Sequence, residues 1–165
     1  MRYDRQTSVT AEQIVNGYSQ EQLADIIYVF GEEPKSRIIA KAITVARKRE
    51  RIKTTIQLAN IIESVAHRSG RIHPATKTFQ ALRMVVNDEL GEIEKGLGSA
   101  IDITKQMGRI CVITFHSLED RLVKQFFTSR TDINIINKHV IVPNYDETRL
   151  NPRSRSAKLR IVQKR

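Results

Sequence analysis

Ile110-Cys111-Val112-Ile113-Thr114-Phe115-His116-Ser117-Leu118-Glu119-Asp120-Arg121 is an apolar run that ends in a polar turn. Leu122-Val123-Lys124-Gln125-Phe126-Phe127 then opens a helix-like run. The apolar residues from Arg109 to Phe115 read as a short strand, buried on both sides if it is parallel. A polar cluster at the carboxyl end of a buried strand is where an open α/β sheet places functional groups. Ser117, with Asp120 three residues on, predicts a cap for the following helix. His116, Glu119 and Asp120 are the titratable groups of this turn. Two readings stand side by side. The three residues shape the substrate end of the sheet, or the turn is only well capped, with Asp120 capping and Arg121 paired to a carboxylate. Neither reading assigns a general base.

Charge is the strongest bulk clue. The chain has 165 residues, a net charge of +10 and a hydrophobic fraction of 40%. That length accommodates one domain, or a domain with a subdomain, around a real core. From Lys35 to Lys53 there are eight basic residues and one acid; from Arg149 to Arg165 there are seven basic residues and no acid. Clustered Lys and Arg favour a polyanion, most often nucleic acid, through counterion release. The competing reading is a solvated basic face. No apolar run approaches the roughly 20 residues that cross a bilayer. No secretory signal follows Met1-Arg2-Tyr3-Asp4. Cys111 is the only cysteine. It reads as a buried small hydrophobe in a reducing, cytoplasmic setting. The four histidines, His67, His73, His116 and His139, have no metal-site spacing.

Helical patterns fill the first seventy or so residues. Thr10 with Gln13, Ser19 with Gln22, and Thr54 with Gln57 each predict a capped helix start. Leu23, Ile26, Ile27 and Phe30 form an apolar stripe, with Gly31 as its stop. A third helix runs through Ile38, Ile39, Ala42, Ile43 and Ala46 and ends in Arg47-Lys48-Arg49. Leu58, Ile61, Ile62 and Val65 face inward on a fourth, which Arg68-Ser69-Gly70-Arg71 breaks. Phe79, Leu82, Val86, Leu90, Ile93, Leu97 and Ile101 then predict one long amphipathic helix over Ala75 to Asp102, weakened after Leu90 by glycines. His73-Pro74-Ala75-Thr76-Lys77-Thr78 opens it. Thr76 or Thr78 simply caps there, or the helix end binds a phosphate with help from Arg71 and Lys77. Ile133 to Val142 and Lys158 to Val162 are strand candidates. The basic residues from Arg149 onward are mobile unless docked.

Three segments in order carry a resemblance. They are His73-Pro74-Ala75-Thr76-Lys77-Thr78-Phe79-Gln80-Ala81-Leu82-Arg83, the Phe115 to Arg121 turn, and Asn151-Pro152-Arg153-Ser154-Arg155-Ser156-Ala157-Lys158-Leu159-Arg160. Met1-Arg2-Tyr3-Asp4 and Tyr28 to Glu33 add weaker matches. Together they resemble the bacterial 16S rRNA (cytidine N4) methyltransferase H family over essentially the whole chain, but only its carboxyl-terminal half. The resemblance implies S-adenosylmethionine-dependent N4-methylation of a cytidine in 16S rRNA, at the decoding centre of the small ribosomal subunit. It implies an α/β fold: a partial doubly wound methyltransferase (Rossmann-like) sheet preceded by a small all-helical insertion subdomain. Residues 1–72 would be that rRNA-recognition subdomain, and 73–165 the carboxyl-terminal part of the methyltransferase domain.

The resemblance also places the cofactor elsewhere. In the family the glycine-rich loop for S-adenosylmethionine lies upstream of the M-R-M-D segment, and this chain has no G-x-G-x-x-G. No cofactor-binding residue is therefore expected in it. RNA contact is expected at Arg47, Lys48, Arg49, Arg153, Arg155, Lys158 and Arg160, whose guanidinium forks suit phosphate. Expected partners are the small subunit and a separately encoded amino-terminal half. The alternative is a truncated or split, inactive rRNA-binding fragment. A third account, an unrelated basic RNA-binding module, lacks the ordered motifs. Lys105-Gln106-Met107-Gly108 departs from the family's K-P-G-G turn, which loses preset geometry there.

Overall fold

The computed structural model describes residues 1–4, 8–66 and 73–165. Two compact units emerge, Met1–Glu89 and Leu90–Arg165. The expected boundary at residue 72, the Arg68-to-Arg71 break and the charge of Arg71 lie outside the described residues. The division after Glu89 leaves the helix Thr76–Val86 within the first unit.

The first unit is helical. Its helices are α1 (Ala11–Gly17), α2 (Gln20–Gly31), α3 (Ser36–Arg49), α4 (Thr55–Glu63) and α5 (Thr76–Val86). Thr10, Ser19 and Thr54 each accept from the backbone N–H three residues on, and Gln13, Gln22 and Gln57 each return a bond to the cap. All three expected helix starts are therefore present, because each box satisfies two otherwise unpaired donors. Ile14, Leu23, Ile27, Ile39, Ile43, Ile62 and Leu82 are fully buried and form the core. Ile38 is not part of it and stays 55% exposed.

Gly31 ends α2, and Glu32 turns the chain through a left-handed conformation at φ 48°. A Cβ at Gly31 would meet the Lys77 carbonyl oxygen of α5 at 2.7 Å. Backbone cannot swing aside as a side-chain tip can. Gly31→Ala is therefore expected to cost about 1–3 kcal/mol, as overpacking does. A urea melt followed at amides of α2 and α5 measures it, and an unchanged midpoint would mean that the helices are not so close.

The single long helix expected over Ala75 to Asp102 is instead two, α5 and α6 (Glu89–Ile103). The break lies at Asn87–Asp88, ahead of Leu90. Asn87 caps α5; its amide donates to the Arg83 and Met1 carbonyls, and its side-chain oxygen accepts from the Tyr3 N–H. Asp88 takes φ 46°. Asn and Asp side chains compete with the helical backbone and tolerate this left-handed geometry, so periodicity alone overran the stop.

The second unit holds most of α6, then β1 (Arg109–Thr114), α7 (Ser117–Ser129), β2 (Ile133–Ile135), α8 (Tyr145–Leu150), a 3-10 turn (Pro152–Ser156) and β3 (Lys158–Lys164). The sheet order is β1-β3-β2, and both pairings are antiparallel. The chain is thus α/β, with a small three-stranded antiparallel sheet. Leu97, Ile101, Val123, Phe127, Ile133 and Val162 make its core.

β1 corrects the expectation of a strand buried on both sides. Arg109, Cys111 and Ile113 are exposed, while Ile110 and Val112 pack against the core, a period-two pattern. Cys111 is exposed rather than buried. The cause is tertiary: the core packs on one face of the strand, and the other face is left exposed. The strand expected over Ile133 to Val142 shortens to β2, because the Asn137 side-chain oxygen takes the Ile161 N–H and ends the ladder. Ile141 rejoins β3 by one bridge to Leu159. The basic carboxyl end is docked, since β3 is the middle strand. In the altered turn, Met107 adopts φ 63° and its N–H reaches the Lys164 carbonyl. That is where a glycine would avoid the cost of a Cβ in left-handed geometry.

Candidate functional site

The β1–α7 turn is capped by His116, not by Ser117. His116 Nδ1 accepts from the Glu119 N–H at 3.3 Å, and Glu119 Oε2 accepts from the Phe115 N–H at 2.8 Å and the His116 N–H at 3.3 Å. An imidazole in extended backbone replaces the hydroxyl that the S-x-x-D pattern suggested, one residue earlier. A ring nitrogen that accepts holds no proton, so the neutral imidazole carries its proton on Nε2. Nε2 lies 3.0 Å from Glu119 Oε1 without an aligned hydrogen bond. Burial pushes the Glu119 carboxyl up. The His116 contact and the Phe115 N–H outweigh it and hold the group below the usual carboxylate range.

Asp120 does not cap. It receives Arg160 side-on, Nε to Oδ1 at 2.7 Å and Nη2 to Oδ2 at 3.1 Å, with Lys158 Nζ at 3.5 Å. The Arg160 fork lowers the Asp120 pKa despite partial burial, and Lys158 adds to the effect. This pair joins the first turn of α7 to β3. Register explains why two motifs distant in sequence meet. Thr114, the last residue of β1, lies opposite Lys158, the first of β3. The His116 turn and the Asn151-to-Arg160 segment therefore share one end of the sheet.

The basic candidates separate into two groups. Arg153 and Arg155 are exposed on the 3-10 turn, anchored by buried Ser154, whose Oγ donates to the Asn151 carbonyl at 2.8 Å. Lys158 and Arg160 are instead tied to Asp120. In the helical unit Lys48 and Arg49 are exposed, but Arg47 donates to the Val15 carbonyl at 2.7 Å. Sequence clustering showed the charge but not these commitments, which depend on pairs such as Asp120 with Arg160.

At the start of α5 neither Thr76 nor Thr78 caps; Ala75 is the N-cap residue and makes no side-chain bond. His73 ties this end down. Its Nδ1 accepts from the Ala75 N–H at 3.1 Å and its Nε2 lies 2.9 Å from Glu63 Oε1. Thr78 is fully buried, and its hydroxyl has no hydrogen-bond partner among the described residues. Among the described residues no cluster of His, Cys, Asp or Glu has the makings of a metal site. No helix among them is long and apolar enough to cross a membrane.

A basic helical unit and an α/β unit with arginines gathered at one end of its sheet define an α/β protein with two clustered basic surfaces. A family model makes the class specific: the MraW methylase family matches residues 1–165. The chain belongs to the MraW methylase family. It is 51% identical to the ribosomal RNA small subunit methyltransferase H of Neorickettsia sennetsu, over 99% of this chain and 56% of that protein. The protein of the same name from Persephonella marina is 50% identical, over 99% of this chain and 58% of its own length. That from the Wolbachia of Brugia malayi is 48% identical, over 99% and 52%. The chain thus spans about half the length of the curated relatives it matches.

S-adenosylmethionine, implied by a methylase family, does not fit the described residues. Gly17 and Gly31 end helices, Gly91, Gly96 and Gly98 lie within α6, and Gly108 precedes β1. None forms the glycine-rich strand-to-helix loop that carries backbone amides to such a cofactor. The strand-to-helix turn that is present, Thr114 to Ser117, has a side chain at every position.

Proposed function

We propose that this chain supplies the rRNA-recognition unit and the carboxyl-terminal sheet edge of an enzyme that methylates cytidine N4 in 16S rRNA. The substrate is the decoding centre of the small subunit, the methyl donor is S-adenosylmethionine, and the setting is the cytoplasm. The observation that carries this reading is the 51% identity to a small-subunit rRNA methyltransferase across 99% of the chain. Residues 1–72 serve recognition, and 73–165 complete the methyltransferase domain. Its sheet becomes doubly wound when strands from an amino-terminal part add to the free edge of β1. That part is supplied separately or on the same polypeptide.

His116, Glu119 and Asp120 act in this reading as positioning residues. Each is committed to the turn or to β3, and none offers a free base. Their work is to hold the Phe115 backbone and the Asn151-to-Arg160 segment at the substrate end of the sheet. A second reading, a non-catalytic rRNA-binding fragment, is favoured by the lack of a glycine-rich loop among the described residues.

Both readings require RNA binding, and exposure favours two of the arginines for it. Arg153 and Arg155 are exposed, whereas Lys158 and Arg160 face Asp120. Changing Arg153 and Arg155 together to Gln is expected to flatten the slope of log affinity against log salt by about 1.4 on single-stranded RNA, at roughly 0.7 per phosphate. Filter binding between low and physiological salt measures it. An unchanged slope means that the 3-10 turn only solvates its arginines.

A further inference from the structure

A pocket beside α7 and the end of β2 joins Arg160 to two cations that neither motif nor charge clustering singled out. Its lining includes Lys124, Phe127, Ile135, Asn137, Lys138 and Arg160, and it encloses about 270 Å³. Lys124 and Lys138 are exposed, and neither ammonium group has an ion-pair partner among the described residues. Arg160 is held rigid by Asp120 through Nε and Nη2, so its Nη1 amino group keeps its donors unspent. No carboxylate among the described residues lines the pocket. Its floor is apolar: Phe127 is buried and Ile135 is 44% exposed. Asn137 forms a fixed wall, its amide bonded to the His139 and Leu159 carbonyls and its oxygen to the Ile161 N–H.

Two exposed ammonium groups and the remaining amino group of Arg160, whose charge Asp120 shares, surround an apolar floor and fit a ligand with an anionic head and a flat apolar body. The size narrows it further, because about 270 Å³ falls at the small end of ligand sites. One nucleotide fits; a longer stretch of chain does not. We propose that this pocket holds one nucleotide of a single-stranded RNA, its phosphate among Lys124 Nζ, Lys138 Nζ and Arg160 Nη1, its base over Ile135 and the edge of Phe127. The site rests on the RNA-binding reading above and adds a contact outside the two sequence clusters. It also gives the Asp120–Arg160 pair a purpose, since a preorganised guanidinium loses less freedom on binding phosphate.

The test uses the full 165-residue chain and its Lys124→Gln, Lys138→Gln double variant, both changes being on exposed side chains. Cytidine 5′-monophosphate, cytidine and a phosphoserine peptide are titrated while backbone amide resonances are followed. The monophosphate is expected to shift Lys124, Thr128, Asn137 and Lys138, cytidine to shift them far less, and the double variant to lose the response. On a single-stranded oligonucleotide the double variant is expected to lower the salt slope by about 1.4. No response to the monophosphate, or a slope unaltered by the double change, overturns the site while leaving RNA binding elsewhere intact. A stronger response to the phosphopeptide overturns the nucleotide assignment. If the monophosphate binds here but no RNA binds the chain, the rRNA reading fails and the anion pocket stands.

Discussion

The chain alone is expected to transfer no methyl group from S-adenosylmethionine to small-subunit RNA, and to gain that activity when the amino-terminal part of a relative is supplied as a second polypeptide. The described residues lack a glycine-rich strand-to-helix loop, and the chain matches 56% of its Neorickettsia relative. β1 adds a structural reason. In an antiparallel pair, alternate residues direct their N–H and C=O groups to the neighbour and the others point away. Among the described residues β1 pairs with β3 alone, so half of its backbone groups face an edge without a strand there. Ile113 within β1 and Phe115 just beyond it are 58% and 53% exposed and leave apolar surface at this strand. An open apolar edge favours addition of a strand or aggregation.

Two readouts follow. Radiolabelled methyl transfer should rise from background to turnover on adding the upstream part. Hydrogen exchange should show the outward-facing amides of β1 exchanging freely in the chain alone, β3 protected on both edges, and β1 protected only in the assembled pair. Methylation by the pure chain, or full protection of β1 in its monomer, would sink the two-part account.

Replacing Asp120 by Ala is expected to cost the second unit about 3 kcal/mol, the lower end of the range for breaking a buried ion pair. The loss is not that of a surface salt bridge. The Asp120 and Arg160 side chains are 14% and 12% exposed, so removing the carboxylate leaves a guanidinium desolvated and unpaired. Lys158, 34% exposed, recovers water more readily. Acid should act in the same direction. The Arg160 fork holds the folded Asp120 pKa below its unfolded value, and the Glu119 pKa is also lowered. Their contribution is therefore complete above the unfolded carboxylate values, at about pH 4. It is lost as pH falls through the folded ones. Hydrogen exchange at α7 and β3 across that window measures both effects. Asp120→Asn should keep the shape and yet lose most of the stability, because an amide cannot balance the cations. Equal stability of the Asn variant and the parent at pH 7 would reduce the clamp to a packing contact.

Much of the helical unit was legible from residue order. A capping box is local: Thr10 with Gln13, Ser19 with Gln22 and Thr54 with Gln57 need no tertiary partner to satisfy the first N–H groups of a helix. Apolar spacing likewise marked Leu23, Ile27, Ile39, Ile43 and Ile62 as inward, since a helix buries whichever stripe is apolar. The ordered motifs carried the family as well. The break at Asn87 was harder to see, because it draws on Arg83, Met1 and Tyr3 at once.

What tertiary structure alone decided lies mostly in the second unit. The direction of β1 depends on which strand pairs with it and the exposure of Cys111 on what covers its face of the sheet, and a short, mostly apolar run fits either answer. The cap of α7 passed from Ser117 to His116 because the backbone entered the helix one residue sooner. Above all, the charges of the Asn151-to-Arg160 segment look alike in sequence and differ in the fold. Arg153 and Arg155 face solvent while Lys158 and Arg160 face Asp120, and Arg160 lines one pocket with Lys124 and Lys138. Residue order determined the helices, their caps and the family, because those signals are local or motif-borne. Only the fold determined which cations are free to bind, because an ion pair across forty positions of sequence exists only once α7 lies against β3.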